Sequence, residues 1–171
     1  AVALYQKPLI FQKGRENIFL QSPHWPQLCI SYSGTRGATK DCVNKVKKML
    51  HNDSIKYQAV DARMENVVNH FIAFFNSEAR LKNQDELTSP DHLKAIDKVW
   101  SQLMDQAQTC FEDWELVPRE ATQHINHLKA AGALSCKMTG SGGGGYILSL
   151  WPYDFDIQQL PLELREQLIF V

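Results

Sequence analysis

The residues best suited to chemistry lie in one run near the C-terminal end, Lys137-Met138-Thr139-Gly140-Ser141-Gly142-Gly143-Gly144-Gly145-Tyr146. Glycine reaches φ > 0 without a Cβ clash, so such a run can turn successive backbone N–H groups into one concavity that holds a phosphate or another anion. The run is costly. Its five glycines, at roughly 0.5–1 kcal/mol each against alanine, forfeit up to about 3–5 kcal/mol where total stability is about 5–15. A flexible hairpin tip is the plain alternative, but linkers seldom have strand-like sequence abutting both ends. A second run, Ser33-Gly34-Thr35-Arg36-Gly37-Ala38-Thr39, offers one cation and three hydroxyls. It lacks the G-x-x-x-x-G-K-[ST] spacing of a P-loop. What it retains is a helix start, whose unsatisfied N–H groups and partial positive charge favour an anion. Thr39 as a mere cap with a solvated Arg36 is the competing reading.

The elements that must position these runs follow from periodicity. Leu134, Cys136 and Met138 alternate before the glycines and Tyr146-Ile147-Leu148-Ser149-Leu150-Trp151 follows them, predicting two paired strands. Residues 1 to 33 also read as β. Ala1-Val2-Ala3-Leu4-Tyr5 is strand-like, Lys13-Gly14-Arg15 is a hairpin turn between Pro8-Leu9-Ile10-Phe11 and Glu16-Asn17-Ile18-Phe19-Leu20, and Gln27 to Tyr32 is a further strand. From Ala38 the period becomes helical, with Cys42, Val43, Val46, Met49 and Leu50 on one face. A second helical stretch covers 55 to 77. A third starts at Pro90 behind Ser89 and runs to about Trp114, and Leu116-Val117-Pro118 breaks it before a last long helix, Arg119 to Ala131, closed by Gly132. His124 and His127 have the spacing of a helical metal pair without a third ligand, which favours surface or structural histidines. The tail carries Asp154 and Asp156, a short helix from Leu160 to Glu166, and a closing strand, Gln167 to Val171. Strands, then helices, then strands predict an α+β domain, a mostly antiparallel sheet with helices packed on one face.

Composition sets the outer bounds. The 171 residues suit one domain with a real core, at 44% hydrophobic and 22% charged. A net charge of −1 gives no reason to expect nucleic acid or an anionic membrane as partner, and no apolar run approaches a membrane span. Cys29, Cys42, Cys110 and Cys136 form no C-x-x-C pair, which reads as four free thiols in a reducing cytoplasm. With no initiator methionine, the chain is expected to be a fragment or processed product.

Lys137 to Gly145 is similar to the third motif of the GHMP-superfamily small-molecule kinases, K-x-T-G-x-G-x-G-G. Residues 33 to 39 resemble the T-G-x-K-G-S-T turn of the bacterial mevalonate kinases within it, with Arg36 where those carry lysine. Lys7-Pro8-Leu9-Ile10-Phe11-Gln12-Lys13-Gly14 resembles the strand that follows their catalytic aspartate. The three stand in family order over most of the chain. The family's P-x-x-x-G-L-G-S-S-A motif, its catalytic lysine and its S-G-x-D aspartate do not occur here, so the resemblance implies no catalytic residue in residues 1–171. It implies a single ferredoxin-like C-terminal domain whose N-terminal ATP-binding half is absent and which is inactive alone. Tyr146 departs from the small residue of many relatives and narrows the floor beneath the loop.

By that resemblance the chain serves transfer of the ATP γ-phosphoryl group to mevalonate, with Mg²⁺ neutralising charge. Thr139, Gly140, Ser141, Gly142, Gly143 and Gly144 would line the ATP site; Arg36 and Thr39 would face the mevalonate-like substrate. The partners implied are that substrate and the enzyme's N-terminal half, with a homodimer expected if the apolar docking face is left open. Other superfamily acceptors (phosphomevalonate, galactose, homoserine) are alternatives, as is a non-catalytic ferredoxin-like module that binds a small anion.

Overall fold

The computed structural model describes residues 9–20, 24–79 and 87–171. The strand expected at Ala1 to Tyr5 and the Lys7-Pro8 pair lie outside the described residues. Strands β1 (Leu9–Ile10) and β2 (Ile18–Phe19) pair antiparallel around Gly14, as the hairpin reading predicts. The main sheet is built from β3 (Gln27–Tyr32), β4 (Ser135–Met138), β5 (Tyr146–Trp151) and β6 (Ile169–Phe170), in the order β4-β5-β3-β6 and antiparallel throughout. Taken in chain order, the first of these strands sits between the third and the fourth, which is the ferredoxin-like order.

Among the described residues four helices lie between β3 and β4: α1 (Thr39–Asn52), α2 (Ser54–Glu78), α3 (Pro90–Asp113) and α4 (Arg119–Ala130). Their ends follow local chemistry. Asp53 caps α2 by accepting from Lys56 N at 2.9 Å, and Ser89 caps α3 by accepting from His92 N at 3.2 Å, with Pro90 opening the helix. Gly132 takes φ +112 just past α4, where the Phe155 ring would lie 3.3 Å from a Cβ. The short α5 (Leu162–Arg165) is preceded by a 3₁₀ turn, Ile157–Gln159, that the apolar pattern does not predict.

Strand register divides the core. Opposed residues share a face, so Cys29, Ser149 and Cys136 point one way, with Ile147, Met138 and Trp151, and pack with Ile125 and Leu128 of α4 and Leu164 of α5. This is the expected helical face. Leu28, Leu148 and Leu150 point the other way and are covered as well, by Phe75 of α2 and Ile96, Trp100 and Met104 of α3. The α2–α3 pair is long enough to lie along the β4 edge and fold over the second face. Gln108 of α3 accepts from Met138 N at 2.9 Å there, so one free amide of that edge is satisfied from the side.

Candidate functional site

The two motif runs meet at one end of the sheet. β3 ends at Tyr32 directly opposite Tyr146, where β5 begins, so the chain leaving β3 and the chain entering β5 must run side by side. Two backbone bonds lock them: Ser33 N donates to Gly145 O at 2.8 Å and Gly145 N donates to Thr35 O at 2.6 Å. Across the gap Ser141 Oγ donates to Thr39 Oγ1 at 3.3 Å.

Glycine is required where the runs touch. A Cβ on Gly37 would fall into the Gly143 carbonyl, and one on Gly143 would sit 2.5 Å from Cys42 Sγ. Gly37 lies outside the positive-φ region, so its requirement is space alone; Gly143, at φ +76, has both reasons. The buried Cys42 thiol thus forms the floor on which the glycine bend rests.

A third wall comes from the connector of residues 114–118, which the sequence marks only as a helix break. Gly143 N donates to Leu116 O at 2.6 Å, and Lys45 Nζ of α1 donates to Glu115 O at 2.8 Å. Glu115 is the one non-glycine residue with positive φ among those described, at +57. The α1 start, the connector and Gly143 enclose a cleft of about 290 Å³ lined also by Asp41, Cys42 and Pro118. No short-range sequence signal marks this wall, because its role depends on α3 and α4 meeting beneath the loop.

Not every amide of the bend faces outward. Those of Gly143 and Gly145 are spent on Leu116 and Thr35, and Thr139 turns inward, its N and Oγ1 both donating to Tyr146 O at 3.1 and 2.7 Å. Among the described residues the N–H groups of Gly140 and Ser141 have no protein acceptor, and Gly140 is exposed. On the facing run Arg36 and Thr39 are exposed, and α1 is capped by Ala38 without any side-chain bond, so Thr39 is a first-turn residue and not the cap. Gly144 N–H also lacks an acceptor among the described residues but is buried, so the geometry offers the Gly140 and Ser141 amides, the Thr39 hydroxyl, an uncapped helix start and one guanidinium, a set suited to an anion.

Neighbouring groups are structural. Lys137 Nζ donates to Met138 O at 2.8 Å and stands 5.6 Å from the Phe111 ring centre, and burial lowers its pKa. Tyr146 is half exposed and packs on Tyr32 at 5.7 Å. His124 Nε2 lies 2.7 Å from the buried Ser31 hydroxyl, with its pKa lowered by burial and by the His127 charge. Among the described residues no group of three or more His, Cys, Asp or Glu side chains could hold a metal ion.

The sequence matches no protein-family model and no curated protein. Solved structures do share its fold. Mevalonate kinase of L. major in complex with R-mevalonate aligns with 81% of this chain and 38% of its own at 17% identity, TM-score 0.62. A protein from Listeria innocua aligns over 91% and 41% at 16% identity, TM-score 0.58. Mevalonate kinase of Methanococcus jannaschii aligns over 91% and 43% at 16% identity, TM-score 0.57. The likeness is one of fold, and the chain spans about two fifths of the length of these proteins.

Proposed function

We propose that this chain is the substrate-side domain of an ATP-dependent small-molecule kinase whose acceptor is mevalonate. The observation that carries the proposal is the docking of the 139–145 bend on the 33–39 turn, which joins free backbone amides and Arg36 at one end of the sheet. Two of the fold neighbours are mevalonate kinases, which supports the choice of acceptor.

The residues fit a phosphate. Gly140 and Ser141 N–H would donate to its oxygens, the Thr39 hydroxyl would add one more donor, and Gly140, with open space where a side chain would stand, leaves the approach clear. ATP, when bound, supplies the γ-phosphoryl group. Arg36 would hold the carboxylate of mevalonate by a charge-assisted pair, which orients the acceptor hydroxyl toward the bend. Among the described residues no group of three or more His, Cys, Asp or Glu side chains could hold the Mg²⁺ that the resemblance implies. The proton acceptor and phosphate loop belong to an N-terminal half, so the 171 residues alone are expected to turn over no ATP.

In a full-length enzyme bearing this sequence, Arg36→Ala should raise the mevalonate KM about tenfold, the effect of losing roughly 1.4 kcal/mol, and leave the ATP KM within about twofold. Equal changes in both constants would contradict the substrate role. Phosphorylation of galactose, homoserine or phosphomevalonate in preference to mevalonate would reassign the acceptor. Complete absence of acceptor-dependent ADP release from the full-length protein would favour a purely anion-binding module.

A further inference from the structure

The opposite end of the sheet carries an unexplained acid. Asp97 lies 14 residues before Phe111 on α3, about 21 Å along the helix axis from the wall of the glycine bend. Its side chain is 6% exposed, on the stripe that also buries Ile96, Trp100 and Met104. Oδ2 accepts from Tyr153 N at 2.8 Å, while Oδ1 is buried with no partner among the described residues. A buried carboxylate oxygen without a donor costs free energy and demands an explanation. Burial, chiefly, pushes its pKa up, with the Asp154 charge acting the same way and the Tyr153 bond opposing it.

Asp97 forms part of the wall of two cavities separated by Tyr153, whose carbonyl is fixed by Gln27 Nε2 at 2.9 Å. The larger, about 360 Å³, is rimmed by Lys94 and Lys98, which repel a cation. The smaller, about 200 Å³, is lined by His24, Trp25, Pro26, Gln27, Leu93 and Ile96 beside Tyr153; Asp97 is its one carboxylate, and neither lysine reaches its wall. The Trp25 ring rests on Phe75 at 5.1 Å and meets Trp100 edge-on at 6.0 Å, and it remains 44% exposed. An indole face, apolar walls and a donor-starved acid are the elements that recognise an organic cation.

We propose that the cavity between Trp25 and Asp97 binds a small primary ammonium compound, its N–H donating to Asp97 Oδ1 and its alkyl part lying along the Trp25 indole. Carboxylate torsions are broad, so a small turn of the Asp97 head presents Oδ1 to the cavity. The larger cavity, with its two lysines, would then accept an anionic group carried on the same ligand, but the ammonium belongs on the Trp25 side.

The test is an NMR titration of the 171-residue protein with n-butylammonium chloride at constant ionic strength, following the Trp25 indole N–H and the Tyr153 amide, with potassium chloride and n-butanol as parallel titrants. Saturable shifts with the amine alone are expected. Asp97→Asn should weaken binding at least about tenfold, as loss of a charge-assisted bond would, and Trp25→Leu should weaken it several-fold. No saturable shift, an equal response to potassium or butanol, or unchanged affinity in folded Asp97→Asn protein would overturn the proposal. Should Asp97→Asn fail to fold, unchanged affinity in Trp25→Leu, whose ring is partly exposed, would overturn it on its own.

Discussion

Gly37 and Gly34 stand three residues apart and need glycine for different reasons. Gly34 has φ +82 and open space around it; Gly37 has no such φ but lies against the Gly143 backbone. Gly37→Ala should therefore cost about 2 kcal/mol or more by forcing the two runs apart, and Gly34→Ala about 1–2, the cost of an L-residue at positive φ. Thermal melts read this directly, because 1 kcal/mol moves Tm by roughly 2–4 °C in a domain of this size. The reverse ranking would mean that the interlock is loose. His124 gives a second residue-scale prediction. Burial and the His127 charge hold its pKa below the usual 6.5, so the unfolded chain takes the proton first. Its contribution is thus full above about pH 6.5 and is lost as pH falls through that value toward the folded-state pKa. His124→Gln should flatten the acid side of the stability profile, and an unchanged profile would contradict the assignment. Both motif runs were legible at this scale, because glycine and hydroxyl clusters announce themselves. Which amides the bend would spend on its own protein was not, since that depends on carbonyls of Leu116 and Thr35 brought there by the fold. A signal for Asp97 did exist: an acid at a core position of the α3 stripe, between Leu93 and Ile96 on one side and Trp100 on the other.

At the scale of elements, the strands and helices could be read nearly to their ends from period and punctuation. β3 spans the predicted residues, α3 opens at Pro90, and α4 stops before Gly132. The cover of the second sheet face could not be read, because a helix stripe says that a face is buried and not which sheet buries it. The connector between α3 and α4 was likewise only a break in the sequence, yet it forms the wall under the glycine bend. Glu115 bears its cost with φ +57, a conformation that costs an L-residue about 1–2 kcal/mol. Glu115→Gly should leave stability unchanged or raise it slightly, since Lys45 bonds the backbone carbonyl and not the side chain. Glu115→Val should lower it by about 1 kcal/mol or more, because β-branched residues tolerate that φ least. Urea midpoints at constant slope compare the two; equal destabilisation by both would show that the side chain itself holds the wall.

The whole molecule is stapled by packing, with no cystine among its four cysteines. All four thiols are buried; burial pushes Cys29 up to about 11 and Cys136 up to about 12. Ellman's reagent at pH 8 should react with them only at the rate of opening, and all together in denaturant; one fast thiol in the folded protein would locate a weak seam. No helix among the described residues is long and apolar enough to cross a membrane. The two ends of the sheet divide the chemistry, with the glycine bend and Arg36 at one and Asp97 at the other. The anion site lies at the first. Its most direct test is a ¹H–¹⁵N titration of the protein with ATP: saturable shifts at the Gly140, Ser141 and Thr39 amides, retained in Arg36→Ala, are predicted. Shifts confined elsewhere, or none at millimolar ATP, would contradict the existence of an anion site between the bend and the helix start.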